Sequence, residues 1–131
     1  MSQSINAWLQ QHIDEYKFRL RDLTVDFYMA QARLNRPECQ LDQLRGFNDA
    51  CMNMAELCQM NGDDDSYLHA LGRLHQRLLT EVRNTQRDKL FRAQAWQLAR
   101  HSLTRLCHQF AVNGEWQKAS ALQTEFVKYV W

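Results

Sequence analysis

The stretch from residue 4 to residue 34 reads SINAWLQQHIDEYKFRLRDLTVDFYMAQARL, and its apolar residues recur every three or four positions without a miss. This spacing places the apolar side chains on one face of an α-helix. Ser4 is a suitable N-cap, and Pro37 ends the pattern. A helix of this length measures about 45 Å, so it must bend or project one end towards a partner. The apolar face consists of Ile5, Leu9, Ile13, Tyr16, Leu20, Leu23, Phe27, Ala30 and Leu34.

A second helical segment follows from about Pro37 to Met60, and a third begins after it. Asn61-Gly62 separates them, because glycine readily adopts the left-handed conformation that ends a helix. Residues 63–66 then supply capping oxygens and negative charge at the start of the third segment. The predicted inward positions are Leu41, Leu44, Phe47, Cys51, Met54, Ala55 and Cys58, then Tyr67, Leu68, Leu71, Leu74, Leu78, Leu79 and Val82.

Two more segments complete the chain. Thr85 and Asp88 form a weak capping box, which predicts a new helix there, although one continuous helix through this region is the alternative. The turn 112–114 separates the fourth segment from a fifth that reaches Val130. The predicted inward positions are Leu90, Trp96, Ala99, Leu103, Leu106 and Phe110, then Trp116, Ala119, Leu122, Phe126 and Val130.

These patterns predict an all-α fold of about five helices in a single domain spanning residues 1–131. Short turns make neighbouring helices antiparallel, which favours a bundle of helical hairpins. A second possibility comes from residues 111–119, AVNGEWQKA, which are similar to the turn between the two helices of a tetratricopeptide repeat. Superposing the two Asn-Gly turns gives an offset of 52 residues rather than the usual ~34. A short tetratricopeptide-like stack is therefore the alternative architecture.

Composition and charge limit the class of protein. Hydrophobic residues make up 45% and charged residues 24% of the 131, which is typical of a globular chain and excludes a disordered one. No apolar run is long enough to cross a membrane, and the first residues lack the pattern of a secretion signal, so we expect a cytoplasmic protein. Residues 1–66 carry 6 basic against 11 acidic side chains, and residues 67–131 carry 10 against 4.

The motifs that identify common enzymes are absent from the sequence. It contains no glycine-rich phosphate loop, no dinucleotide fingerprint and no His-Glu-x-x-His, so we predict a protein without catalytic residues, cofactor or metal. Cys39, Cys51, Cys58 and Cys107 are expected as reduced thiols, the last three within the core. A zinc site is the remaining alternative. It would need the pairs Cys51/Cys58 and His101/His108 to converge, since each pair lies on one side of its helix.

A basic stretch between residues 73 and 105 suggests a second kind of function. Arginine contacts phosphates and base edges, so the stretch predicts binding of nucleic acid or of an acidic partner. A sequence pI of about 7.7 and the frequency of solvated charged helix faces count against nucleic acid. The residues concerned are Arg73, Arg77, Arg83, Arg87, Lys89, Arg92, Arg100, His101 and Arg105.

Aromatic and methionine residues outside the apolar faces suggest the leading function. Trp8 lies beside the face of the first segment and Trp131 ends the chain, whereas Trp96 and Trp116 fit core positions. Stranded aromatics often anchor interfaces, and Met52 and Met60 would add adaptable contacts. The sequence therefore predicts a non-catalytic protein that docks onto another protein as an adaptor, chaperone or inhibitor, alone or as a homodimer.

Two glycines lie inside predicted helices, where each costs about 1 kcal/mol relative to alanine. Gly46 is in the second segment and Gly72 in the third. We expect helices to cross closely at these two positions.

Overall fold

The computed structural model describes residues 4–129, and within them the chain forms five α-helices and no strand. They are α1 (Ile5–Leu34), α2 (Leu41–Met60), α3 (Asp64–Val82), α4 (Lys89–Val112) and α5 (Trp116–Phe126). The all-helical prediction is confirmed, and the break between α3 and α4 shows that they are separate helices.

Local chemistry explains where the helices begin and end. The side chains of Ser4, Asp63 and Asp88 accept hydrogen bonds from backbone N–H groups three residues later, at 3.1, 3.3 and 2.8 Å. Gly62 and Gly114 adopt φ values of 72° and 76°, the left-handed conformation that ends α2 and α4.

Two predicted boundaries were wrong. The second helix begins at Leu41 rather than near Pro37, because Gln43 Oε1 accepts the Gln40 N–H at 2.6 Å and so fixes the start of the helix. The last helix ends at Phe126 rather than reaching Val130, and Val130 itself lies outside the described residues.

Successive helices pack against each other in antiparallel hairpins, and α2 also contacts α4. The α2–α3 and α4–α5 hairpins therefore lie side by side, and α1 packs on the outside of α2. Among residues 4–129, the first and last helices do not meet, so the bundle is open. The same side-by-side hairpins agree with the tetratricopeptide-like alternative, which stays a prediction.

Antiparallel order gives the bundle two distinct ends. The closed end contains the α1–α2 loop (residues 35–40) and the α3–α4 loop (residues 83–88). The open end contains the α2–α3 turn (residues 61–63), the α4–α5 turn (residues 113–115) and the N-terminal part of α1.

The core is continuous from α1 to α5. Its fully buried residues include Phe27, Phe47 and Leu74 at the centre, and Trp96 stacks on Phe126 with ring centroids 5.4 Å apart. Cys51 and Cys58 are buried as predicted, whereas Cys107 is only partly buried.

The expectation of close helix crossing at the two internal glycines was wrong. A Cβ atom added to Gly46 or Gly72 would have no heavy atom within 4 Å, outside the local helix backbone and chain neighbours. Each glycine instead borders an open groove between helices.

Candidate protein-docking surface

The first part of α1 extends beyond the rest of the bundle. Residues 4–15 are all exposed, and Tyr16 is the first residue of the helix to be partly buried. Its hydroxyl donates to Asp63 Oδ2 at 2.8 Å, which joins α1 to the α2–α3 turn. Residues 5–15 therefore project past that turn by about 16 Å.

The apolar face of α1 is continuous across the boundary at Tyr16. On one side, Leu23 packs against the core and Phe27 is buried. On the other side, Ile5, Leu9 and Ile13 are exposed by 75%, 43% and 44%. We refer to these three residues as the free stripe. The free stripe has the spacing of a core face, but no helix within residues 4–129 covers it.

The projecting segment is held as a helix by local interactions. Ser4 caps it, Gln10 Nε2 donates to Asp14 Oδ1 at 3.0 Å, and Gln11 Nε2 donates to Glu15 Oε1 at 3.5 Å. Pairs of this kind contribute only tenths of a kcal/mol each, and helices this short are marginal in water. A partner that covered the free stripe would therefore also stabilise the helix.

Other exposed apolar side chains lie at the same open end. Met60 at the end of α2 is 79% exposed, Val112 at the end of α4 is 66% exposed, and Trp116 at the start of α5 is 68% exposed. Trp116 was predicted to be a core residue, and so was Leu90 at the closed end, which is 67% exposed. Both predictions were wrong because each residue lies in the first turn of its helix, at an end of the bundle where the neighbouring helices give it little cover.

The residues predicted for a protein interface fall in different environments. Trp8 is 55% exposed beside the free stripe and stacks on His12, with ring centroids 5.6 Å apart. Met60 is exposed, as described above. Met52 is partly buried and packs against the core, so it offers less surface than the pattern suggested. Trp131 lies outside the described residues.

Two arginines of the basic stretch, Arg77 and Arg87, form a network of ion pairs and hydrogen bonds at the closed end of the bundle. Glu81 is buried and forms an ion pair with Arg87 at 3.3 Å and with Arg77 at 3.8 Å. Arg87 also donates to the backbone oxygens of Leu34 at 2.6 Å and Arg36 at 3.0 Å, so it caps the C-terminus of α1. This network ties α3, the α3–α4 loop and the end of α1 together.

Other basic side chains lie on aromatic rings or bond to the protein. Arg73 covers the Phe27 ring at 4.4 Å, and Arg83 covers the Tyr129 ring at 3.8 Å. Arg92 Nε donates to the Val82 oxygen at 2.8 Å. Arg105 contacts Tyr67 and Glu56, whereas Lys89, Arg100 and His101 are exposed. The stretch is thus spread over α3, the α3–α4 loop and α4, and most of its arginines are engaged in contacts within the protein.

Burial favours the uncharged forms of three cysteine thiols and of the His75 imidazole. Burial raises the pKa of Cys51 to about 12 and also raises the pKa values of Cys39 and Cys107. Burial lowers the pKa of His75, whose Nδ1 lies 2.9 Å from Ser102 Oγ. These environments disfavour a thiolate or an imidazolium inside the bundle.

The proposed zinc ligands are not brought together. Cys51 and Cys58 are buried in the core, whereas His101 and His108 are exposed on α4. Residues 4–129 contain no group of three or more His, Cys, Asp or Glu side chains arranged to hold a metal ion.

Two grooves accompany the internal glycines. One, of about 370 Å³, lies between α1 and α2 and is bordered by Gly46, Asp26, Asp42 and Asp49. The other, of about 440 Å³, lies between α3 and the α4–α5 hairpin, where Gly72 faces apolar residues including Leu106, Phe110 and Leu122.

No protein-family model matches this chain, and neither the curated proteins nor the solved structures contain a match to it. Among the helices of the described residues, none has the length and apolar character required to cross a membrane.

Proposed function

We propose that this protein acts by docking onto another polypeptide through the projecting half of α1, as an adaptor, chaperone or inhibitor and without catalysing a reaction. One observation carries the proposal: the free stripe of Ile5, Leu9 and Ile13 continues a core face but is exposed. Exposed apolar helix faces of this kind bind partners by laying the face against a complementary apolar surface. A cytoplasmic location, where thiols stay reduced, belongs to the same proposal.

The contacts of the basic stretch support protein docking over the nucleic-acid alternative. A nucleic-acid surface needs several cations presented together to phosphates. Arg77 and Arg87 instead neutralise Glu81, and Arg73 lies on Phe27. The exposed cations Lys89 and Arg100 are eleven residues apart on α4, about 16 Å along the helix, so they do not form a dense cluster of positive charge.

A pull-down with the tagged protein, treated with nuclease and analysed by mass spectrometry, tests the proposal. We expect one polypeptide to be retained in near-stoichiometric amount. We also expect Leu9→Asp to abolish retention, because a carboxylate buried in an apolar contact has no partner.

The matched control is Phe18→Asp. Phe18 is on the same helix and is 64% exposed. It lies nine residues from Leu9, which places it on the opposite face. Retention of the same polypeptide by this variant would locate docking on the free stripe. A set of proteins lost on nuclease treatment would instead favour nucleic acid, and equal retention by Leu9→Asp would contradict docking through α1.

A further inference from the structure

We propose that the occupant of the free stripe is the free stripe of a second copy of this chain, packed antiparallel with a two-fold axis at Leu9. The inference rests on the proposed function, because it identifies the polypeptide onto which α1 docks. Most homo-oligomers are two-fold dimers in which the same patch meets itself, and the sequence of this patch is suited to that symmetry.

The geometry of α1 and α2 provides the first argument. From Leu34 back to Tyr16, the apolar face of α1 is covered by α2, which runs antiparallel to it. Beyond the end of α2 at Met60, the same face is bare for residues 5–15, about 16 Å of helix. The same segment of a second copy has this length. Packed antiparallel, it would continue the line of α2.

The spacing of the free stripe provides the second argument. Ile5 and Ile13 each lie four residues from Leu9, so the stripe is symmetric about its centre. In an antiparallel pair centred on Leu9, each Ile5 lies opposite Ile13 of the second copy, and the two Leu9 side chains meet. Both copies then contribute β-branched and leucine side chains to one apolar layer.

The distribution of charge provides the third argument. Residues 4–13 contain no Asp, Glu, Lys or Arg, whereas residues 14–22 contain six. Burying the free stripe therefore removes no formal charge from water, which is the main cost of burying helix surfaces. The first turn of α1 also has no acidic residue. In this register, Asp14 and Glu15 lie beside the N-terminus of the second copy's helix, where negative charge is stabilising.

The size of the contact sets the expected affinity. The paired segments are short, so the interface is smaller than that of a standard stable complex. We expect a reversible dimer with a dissociation constant in the micromolar range, coupled to stabilisation of the projecting helices.

Sedimentation velocity and light scattering over a range of protein concentrations test whether the free stripe forms the dimer interface. We expect the wild-type protein to convert from monomer to dimer as its concentration rises. Leu9→Asp places two carboxylates together at the two-fold axis and should weaken dimerisation by roughly 100-fold or more. Phe18→Asp should dimerise like the wild type. Circular dichroism of both variants checks that the bundle is folded, which we expect because neither side chain belongs to the core.

Two variants with complementary charges test the antiparallel register of the paired helices. Ile5→Lys and Ile13→Asp should each weaken dimerisation, since each homodimer contains two unpaired charges in an apolar layer. Mixing the two variants should restore the dimer, because each heterodimer then has one Lys–Asp pair and one Ile–Ile pair. No restoration on mixing would overturn the antiparallel register centred on Leu9.

Three other results would overturn the dimer, and they separate it from the proposed function. The first is a wild-type protein that stays monomeric far above micromolar concentration. The second is a dimer that survives Leu9→Asp, and the third is a dimer that Phe18→Asp also abolishes. If the wild type is monomeric but retains a polypeptide of different sequence in a Leu9-dependent manner, the dimer fails and docking through α1 stands. If the wild type neither dimerises nor retains another polypeptide in a Leu9-dependent manner, both proposals fail.

Discussion

The closed and open ends of this bundle differ in which kinds of side chain they bury and expose. At the closed end, the buried carboxylate of Glu81 is surrounded by Arg77, Arg87 and Asn84, and Arg87 also donates to the last carbonyl of α1. At the open end, Tyr16 and Asp63 make one hydrogen bond, and beyond it the helix is bare. The polar side chains thus lie inside at one end, and the apolar side chains lie outside at the other. This inversion is consistent with a closed end that maintains the fold, and it leaves the apolar surface at the open end that we propose as the docking site.

The largest expected effect comes from breaking the closed end. Glu81→Ala removes the carboxylate and leaves Arg87 nearly buried without its counter-charge, which should lower the free energy of unfolding by about 3–5 kcal/mol. Urea unfolding measures this loss of unfolding free energy. The control is Glu56→Ala, because Glu56 is 54% exposed in its pair with Arg105, and such pairs contribute about 0–1 kcal/mol. Equal losses in the two variants would contradict a structural role for the closed-end network.

A second comparison uses two residues of the same apolar face of α1. Leu34 is fully buried, so Leu34→Ala should cost about 2–5 kcal/mol of unfolding free energy. Ile13 is 44% exposed, so Ile13→Ala should change it by less than about 0.5 kcal/mol at low protein concentration. Thermal or urea unfolding of both variants measures the difference. Similar losses would mean that the projecting segment packs against the bundle.

The smallest expected effect is a dependence of stability on pH through His75. Burial lowers the pKa of His75 in the folded protein, so below about pH 6.5 the unfolded chain binds the proton that the folded chain does not. The contribution of His75 to the free energy of unfolding is fully present above pH 6.5. It declines as the pH falls towards the folded pKa, by at most about 1.4 kcal/mol per pH unit.

Urea unfolding between pH 7.5 and 5.5 tests this prediction. His75→Gln should reduce the decline in stability on acidification, because it removes the group whose protonation burial disfavours in the folded protein. An unchanged decline in His75→Gln would assign the pH dependence to other groups.

Much of the fold was predictable from the sequence because local signals were strong. The three- and four-residue spacing in α1, the capping residues Ser4 and Asp63, and the two Asn-Gly turns indicated helices in nearly the right places. Each of these signals acts through atoms within a few residues, so no tertiary structure is needed to interpret it.

The site was less predictable because burial depends on neighbouring helices. Trp116 and Phe126 have similar helical spacing, yet one is exposed and the other is stacked against Trp96. The role of Arg87 was missed because it bonds to Leu34 and Arg36, more than fifty residues earlier in the chain. The available signal was Glu81, one of only two acidic residues in the basic stretch, the other being the helix-capping Asp88.

The sequence by itself determined the helices, their turns and the continuous apolar face of α1, because hydrogen bonds and side-chain periodicity are local properties. The tertiary structure alone decided where that face stops being core. It stops at Tyr16, because α2 ends at Met60 and nothing else in residues 4–129 extends far enough to cover Ile5, Leu9 and Ile13. The same pattern therefore stabilises the bundle on one side of Tyr16, and on the other side it leaves the exposed apolar surface that we propose as the docking site.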